Sequence, residues 1–239
     1  MSFKTSCLPY LRDLILRLSK GGARIPERKY YAEYSTDKIV RERYFPNFDR
    51  PGVMVEVGGG TPDFLSMSKH FKDSGWRTII IEPNPLFAQK HREMGNEVCE
   101  YACSSEDRTG VPFTVVSQKV EAYGGMVTDH AFSSLELKPS YAALLPATAN
   151  RKTITVDVRR LDGILADLSI AKVDLLSIDV EGWEIEVLKG FDTNRISCSV
   201  IVIENLNHEP SYAEYMGGIG YSLDKIIEYN YVFTKDPNR

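Results

Sequence analysis

Two acids stand at the ends of apolar runs about one helix-length apart. Val53-Met54-Val55-Glu56-Val57 runs directly into Gly58-Gly59-Gly60, and Thr78-Ile79-Ile80-Ile81 stops at Glu82. An apolar run entering glycines reads as a buried strand meeting a tight turn, where positive φ is allowed and a ligand can approach the backbone. An acid that closes the second strand of a βαβ unit can accept hydrogen bonds from both hydroxyls of a ribose. The pair predicts a site for an adenosine-type cofactor. Without Glu82 the glycines would read as a strand–helix turn and no more.

The neighbours of the loop choose among cofactors. A dinucleotide fingerprint asks for glycine at its first, third and sixth positions; Gly58 and Gly60 fill two, but Asp63 occupies the last. An acid at a helix N-terminus repels a pyrophosphate. Glu56, just ahead of the glycines, is likewise wrong for a phosphate and right for a cation. S-adenosylmethionine carries a sulfonium and an α-ammonium and no phosphate, so it is the expected cofactor, ahead of NAD.

Further acids close other apolar runs. Val173–Ile178 leads into Asp179-Val180-Glu181-Gly182, and Ser199–Ile203 leads into Glu204-Asn205. In open α/β sheets, ligands bind outside the carboxyl ends of the strands. Asp179 is the first catalytic candidate, although Asp is also a favoured helix cap. Glu181 is a second, with a first-turn, dipole-favoured acid as its rival reading. His208, in Asn205-Leu206-Asn207-His208-Glu209, is a third; a lone loop histidine is more often solvated surface.

The elements needed to position these groups can be read along the chain. Strands are expected near 53–57, 78–81, 97–101, 112–116, 153–158, 173–178 and 199–203. Helices are expected at Pro62–Ser74 with Gly75 as cap, Pro85–Met94 stopped by Gly95, Leu161–Leu168, and Trp183–Leu188 stopped by Gly190. Tyr221–Ile227 and Tyr229–Thr234 suit a terminal antiparallel hairpin. Strands alternating with helices indicate α/β architecture, a doubly wound, Rossmann-like and mostly parallel sheet. Residues 1–49 read as an N-terminal lead-in, basic over 1–29 and helical over 30–49 beside the cofactor site. Residues 50–239 read as the main domain. Within it, 117–150 holds Gly124-Gly125, Pro139 and Pro146 in a polar, irregular texture, and is expected to be a substrate-recognition insertion.

Composition narrows the function classes. The chain has 239 residues, 43% hydrophobic, with a net charge of −4, enough for one α/β domain with additions. The acidic balance argues against a nucleic-acid partner. Cys7, Cys99, Cys103 and Cys198 show no metal spacing and read as reduced thiols of a cytoplasmic protein. Leu11–Leu18, interrupted by Arg12, Asp13 and Arg17, reads as a short amphipathic helix rather than a signal or membrane span. A homodimer is compatible with these features.

Ile178-Asp179-Val180-Glu181-Gly182, then Glu186-Val187-Leu188-Lys189-Gly190, preceded by Leu161-Asp162 and by Val55–Gly60 with Glu82, resembles the FkbM-type S-adenosylmethionine-dependent methyltransferases. The resemblance covers roughly residues 30 to 205. It implies a class I methyltransferase sheet and methylation of a hydroxyl on a small molecule or glycan, most often a sugar. By position it implies Glu56, Gly58, Gly59 and Gly60 along the methionine half, Glu82 and Pro83 at the ribose, Cys103 and Ser104 near the adenine, and Asp179 beside the transferred methyl. The chain departs from the family in having Ser177 where many relatives carry Lys, and Glu56 where Asp is more usual.

An acceptor hydroxyl must lose a proton as it attacks. Asp179 or His208 can serve as general base. Alternatively a divalent cation such as Mg²⁺ lowers the hydroxyl pKa, held by Asp179, Glu204 and Asn205. That order, an acid and then an acid–Asn pair, resembles catechol-type O-methyltransferases. Strand-end turn chemistry is the rival explanation for Asn205. Two other functions compete: an NAD-dependent oxidoreductase, which the Asp63 mismatch disfavours, and an inactive methyltransferase-like binding module, which the intact loop disfavours.

Overall fold

The computed structural model describes residues 30–122, 125–129 and 132–236. The basic segment 1–29, with the helix expected at Leu11–Leu18, Cys7 and Gly124 lie outside those residues. In chain order, a 3₁₀ turn (Glu33–Ser35) and α1 (Thr36–Tyr44) precede β1 (Val53–Val57), α2 (Lys69–Asp73), β2 (Arg77–Ile81), α3 (Pro85–Glu93) and β3 (Glu97–Cys99). Then come β4 (Ala102–Cys103), β5 (Arg108–Ala122), β6 (Gly125–Asp129), α4 (Pro139–Ala142) and β7 (Asn150–Arg159). The chain continues through α5 (Leu161–Asp167), β8 (Lys172–Ile178), α6 (Glu184–Lys189), β9 (Ser197–Glu204), α7 (Pro210–Gly218), β10 (Tyr221–Ile227) and β11 (Asn230–Lys235).

The apolar runs become the centre of a seven-stranded sheet in the order β10-β11-β9-β8-β1-β2-β3. β1 pairs in parallel with β2 on one side and β8 on the other, with Val55 opposite both Ile79 and Leu176. Strands flanked this way are covered on both faces, which is why they are apolar throughout rather than alternating. One face packs Val55, Ile79, Ile81, Leu161, Leu165 and Ile178; the other packs Met54, Leu175, Val202, Phe71 and Trp76 with Val40 of α1. Chain order reverses between β1 and β8, so a crevice opens at their carboxyl ends. The C-terminal hairpin closes the far edge, with β11 antiparallel to β9.

Local signals place the helices. Asn84 caps α3 by accepting from the Leu86 amide, with Pro85 in the first turn and Lys90, His91 and Arg92 in the last. Gly75 and Gly95 take positive φ where their helices end.

Three readings of the sequence are corrected. The helix expected over Pro62–Ser74 is confined to Lys69–Asp73. Ahead of it, Leu65 adopts φ 53°, and the Met67 amide donates to Glu56 Oε1 at 2.9 Å instead of to a helical carbonyl. Residues 117–150 are not irregular throughout. β5 runs on to Ala122 because it pairs antiparallel with β7, Ser117 lying opposite Asn150, and β6 pairs with its far end. A second, four-stranded sheet results, ordered β4-β7-β5-β6. Finally, a helix absent from the expected elements, α7, spans Pro210–Gly218 between β9 and the terminal hairpin.

Candidate active site

The carboxyl ends of β1, β2, β8 and β9 bring Glu56, Glu82, Asp179 and Glu204 around one cavity of about 240 Å³ together with Gly58, Gly59 and Gly60. The glycine loop is built by main-chain pairing. The Gly58 amide donates to the Ile81 carbonyl at 2.9 Å, and the Asp179 amide donates to the Val57 carbonyl at 3.0 Å. Gly58 has φ +87°, and a Cβ there would lie 1.8 Å from the Asp179 carbonyl oxygen. The loop and the chain just past β8 therefore pack with their backbones against each other.

Each acid is held differently. Glu82 accepts from the Gly60 amide at 2.8 Å through Oε2 and from the Asn84 amide at 2.7 Å through Oε1. Glu56 is engaged at Oε1 by Met67, while its buried Oε2 has no hydrogen-bond partner among the described residues. Burial pushes both carboxyls up to about 7, against the hydrogen bonds they accept. Asp179 is exposed into the cavity; the protein packed around it and the Glu184 carboxylate raise its pKa, while Glu204, within hydrogen-bonding reach, opposes the shift. Burial and then the Asp179 and Glu181 charges raise Glu204 further. The cavity is lined by the carboxyls of Glu33, Glu56, Glu82, Asp179, Glu181 and Glu204, and no Lys, Arg or His is among its described lining residues.

The loop after β8 is fixed from two directions. From below, the buried Glu184 accepts from the Val180 and Gly182 amides at 3.0 Å each and from the Tyr212 hydroxyl of α7 at 2.6 Å. From above, the segment preceding α4 clasps it. The Phe132 amide donates to Glu181 Oε1 at 2.7 Å, the Trp183 indole donates to the Glu136 carbonyl at 3.0 Å, and Lys138 Nζ donates to the Gly182 carbonyl. Glu181 and Gly182 both take positive φ, 60° and 93°, which lets the chain double back between these supports. The same segment supplies Ser133, Ser134 and Leu135 to the cavity wall, and Trp183 faces it as well.

Of the expected site residues, Glu56, Gly58, Gly59, Gly60, Glu82, Pro83, Cys103, Asp179, Glu181 and Glu204 line the cavity. Ser104, Asn205 and His208 do not. Ser104 is buried, its amide bonded to the Arg159 carbonyl. Asn205 is buried with both ends of its amide bonded to the Glu209 main chain. His208 is exposed, and its Nδ1 pairs with the Tyr231 hydroxyl at 2.9 Å. Asp179 is not a helix cap, since α6 begins after Trp183.

Sequence reasoning passes over Trp183, Glu184 and His91. The first two come directly after Asp-Val-Glu-Gly, so adjacency is the available signal. His91 is fully buried, its Nε2 facing the Gly59 and Gly60 carbonyls at 3.4 and 3.2 Å. Its place four residues after Phe87, on the buried face of α3, is the corresponding clue.

No curated protein matches the chain. Among solved structures, it is similar to the precorrin-6Y C5,15-methyltransferase of Geobacter metallireducens, at 12% identity and a TM-score of 0.42, over 88% of this chain and 95% of that one. The family model described as the methyltransferase FkbM domain matches residues 52–229, a span that takes in β1 with its glycine loop, the acids after β2, β8 and β9, and the segment clasping Trp183; by that match, the chain belongs to the FkbM methyltransferase family.

Proposed function

We propose that the chain is an S-adenosylmethionine-dependent O-methyltransferase acting on a hydroxyl of a small molecule or glycan, with a sugar as the favoured acceptor. The observation that carries this reading is the cavity lined by carboxyls without a described basic side chain. Such a wall attracts a sulfonium and an ammonium and repels a pyrophosphate, so it favours this cofactor over NAD.

The residues present fit the cofactor. Glu82 spends two acceptor positions on the Gly60 and Asn84 amides. A carboxylate has about four such positions, which leaves two for the ribose hydroxyls. Glu56 Oε2, buried and unpaired among the described residues, gives the methionine end an acceptor. Pro83, Ala102 and Cys103 supply an apolar wall for the adenine. When bound, S-adenosylmethionine supplies an electrophilic methyl group on sulfur.

The chain's own residues then position the acceptor and take its proton. Asp179 faces the cavity, and its raised pKa suits a group that must accept a proton from a hydroxyl. The Trp183 ring, anchored through its indole N–H, offers a flat apolar face to the C–H face of a sugar. The presence of Ser133, Ser134 and Leu135 in the cavity wall supports a substrate role for part of residues 117–150. The described cysteines Cys99, Cys103 and Cys198 are free, which supports a reducing, cytoplasmic setting. Among the described residues no helix is long and apolar enough to cross a membrane.

Calorimetric titration with S-adenosylhomocysteine and, separately, NAD tests the cofactor. Binding of the first alone is expected; binding of NAD alone would overturn the reading. Asp179→Asn should abolish methyl transfer while leaving S-adenosylhomocysteine affinity within a few-fold. Near-normal turnover would remove Asp179 from the chemistry.

A further inference from the structure

Asp179, Glu181 and Glu204 come from the end of β8, the loop beyond it and the end of β9. One carboxylate oxygen from each lies within 4.8 Å of the other two. A point between three such oxygens is roughly 3 Å or less from each, so a small contraction brings all three to the about 2.0–2.6 Å that hard divalent cations require of oxygen ligands. Like charges at this spacing repel unless a cation or a proton sits among them.

A second observation bears on which of these it is. Glu204 is 93% buried, with 7% of its surface accessible. It lines the cavity, and its Oε2 has no hydrogen-bond partner among the described residues. A buried carboxylate oxygen left unpaired is costly, and a ligand with positive charge resolves it. The side chains around the cluster do not. The described lining residues include no Lys, Arg or His, and Lys138 Nζ is turned to the Gly182 carbonyl.

We infer that Asp179, Glu181 and Glu204 form a site for one divalent cation of the Mg²⁺, Mn²⁺ or Ca²⁺ class. This ligand set differs from the one expected from the sequence. Asn205, with its amide oxygen and nitrogen both bonded to Glu209, gives way to Glu181. Glu181, whose Oε1 accepts from the Phe132 amide, offers one carboxylate oxygen to the cluster. Burial is graded across the trio, from exposed Asp179 through half-buried Glu181 to buried Glu204, so the ion would have a protein floor and an open side toward the cavity. On the methyl-transfer reading, an acceptor hydroxyl would be bound at that open side and its pKa lowered, with Asp179 holding the ion in place of taking the proton itself.

The test uses the full chain, stripped with a chelator and saturated with S-adenosylhomocysteine. Mn²⁺ is titrated and its free concentration tracked by electron paramagnetic resonance. One ion per chain is expected, displaced by excess Mg²⁺ or Ca²⁺. Glu204→Gln and Glu181→Gln should each weaken Mn²⁺ at least tenfold. Glu181 is half-buried, so its variant keeps the test alive if Glu204→Gln fails to fold by near-ultraviolet circular dichroism. Absence of saturable Mn²⁺ binding to the wild-type chain, or unchanged affinity in a folded variant, would overturn the site and leave a shared proton as the explanation. S-adenosylhomocysteine binding, measured on the same samples, distinguishes this failure from failure of the cofactor assignment.

Discussion

Gly58 leaves no room for a methyl group. With φ +87° and the Asp179 carbonyl 1.8 Å from where a Cβ would stand, an added methyl must push the glycine loop away from the end of β8. Gly58→Ala should therefore destabilise the chain by about 3 kcal/mol or more, read as a drop in the midpoint of urea unfolding. Gly60 is different, because nothing lies within 4 Å of its missing Cβ. It supplies a left-handed φ and the amide on Glu82. His91 supports this loop from beneath. Asn96 Nδ2 lies 2.8 Å from Nδ1, and burial lowers the ring's pKa, so the neutral ring accepts there and donates from Nε2 to the loop carbonyls. His91→Phe fills the same space without the donor. It should keep the fold and weaken S-adenosylhomocysteine binding by about tenfold, the worth of one hydrogen bond. Unchanged affinity would mean the loop holds its shape without His91. Gly58 and Glu82 are legible in the sequence because each sits directly at the end of an apolar strand. His91 is not, because its role depends on how α3 lies across the sheet.

At the scale of elements, the loop after β8 depends on α6 and α7. Glu184 opens α6 and ties two loop amides to the Tyr212 hydroxyl of α7. Removing it strands two N–H groups that had a charged acceptor. Glu184→Ala should cost about 3 kcal/mol of stability and lower kcat, since Asp179 begins this loop. Tyr212→Phe loses one hydrogen bond and should cost about 1 kcal/mol, with kcat near normal. Equal effects from both, in a double-mutant cycle of unfolding midpoints, would show that α7 and not Glu184 holds the loop. These dependencies explain which elements are legible. β1, β2, β8 and β9 can be read nearly to the residue, because a strand buried on both faces has an unbroken apolar sequence. The β5–β7 pair reads short, because Ser117-Gln118-Lys119 directly past Val116 are polar and only the partner strands make them a strand. Residues 62–68 read as helix for the converse reason. Their propensity is overridden by Glu56, whose carboxylate takes the Met67 amide. α7 escapes a sequence reading because Tyr212 and Met216 are its only buried residues, too few to show a period.

For the whole molecule, the acids that suit the cavity to a cation should weaken the empty fold. Glu56 and Glu82 sit near 4.5 when unperturbed and are raised to about 7 here. Between those values the folded chain keeps protons that the unfolded chain has released, so stability falls as pH rises through about 4.5 to 7 and levels off above. The loss is of order 3 kcal/mol for each carboxyl at most. His91, lowered in the folded state, works the other way, since below about 6.5 the unfolded chain takes up a proton that the folded chain resists. Surface groups add their own slopes, so the decisive measurement is a difference between variants. Thermal unfolding of the cofactor-free wild type and of Glu82→Gln should be compared from pH 5 to pH 8.5. The variant should gain relative to wild type as pH rises, because it has no proton to lose, and should bind S-adenosylmethionine at least tenfold more weakly at every pH. A carboxylate that only completed the fold would show the opposite, with the variant losing stability at high pH along with the ligand. If instead the variant gains stability and binding is untouched, the burial of Glu82 serves neither fold nor cofactor, and the ribose assignment falls with it.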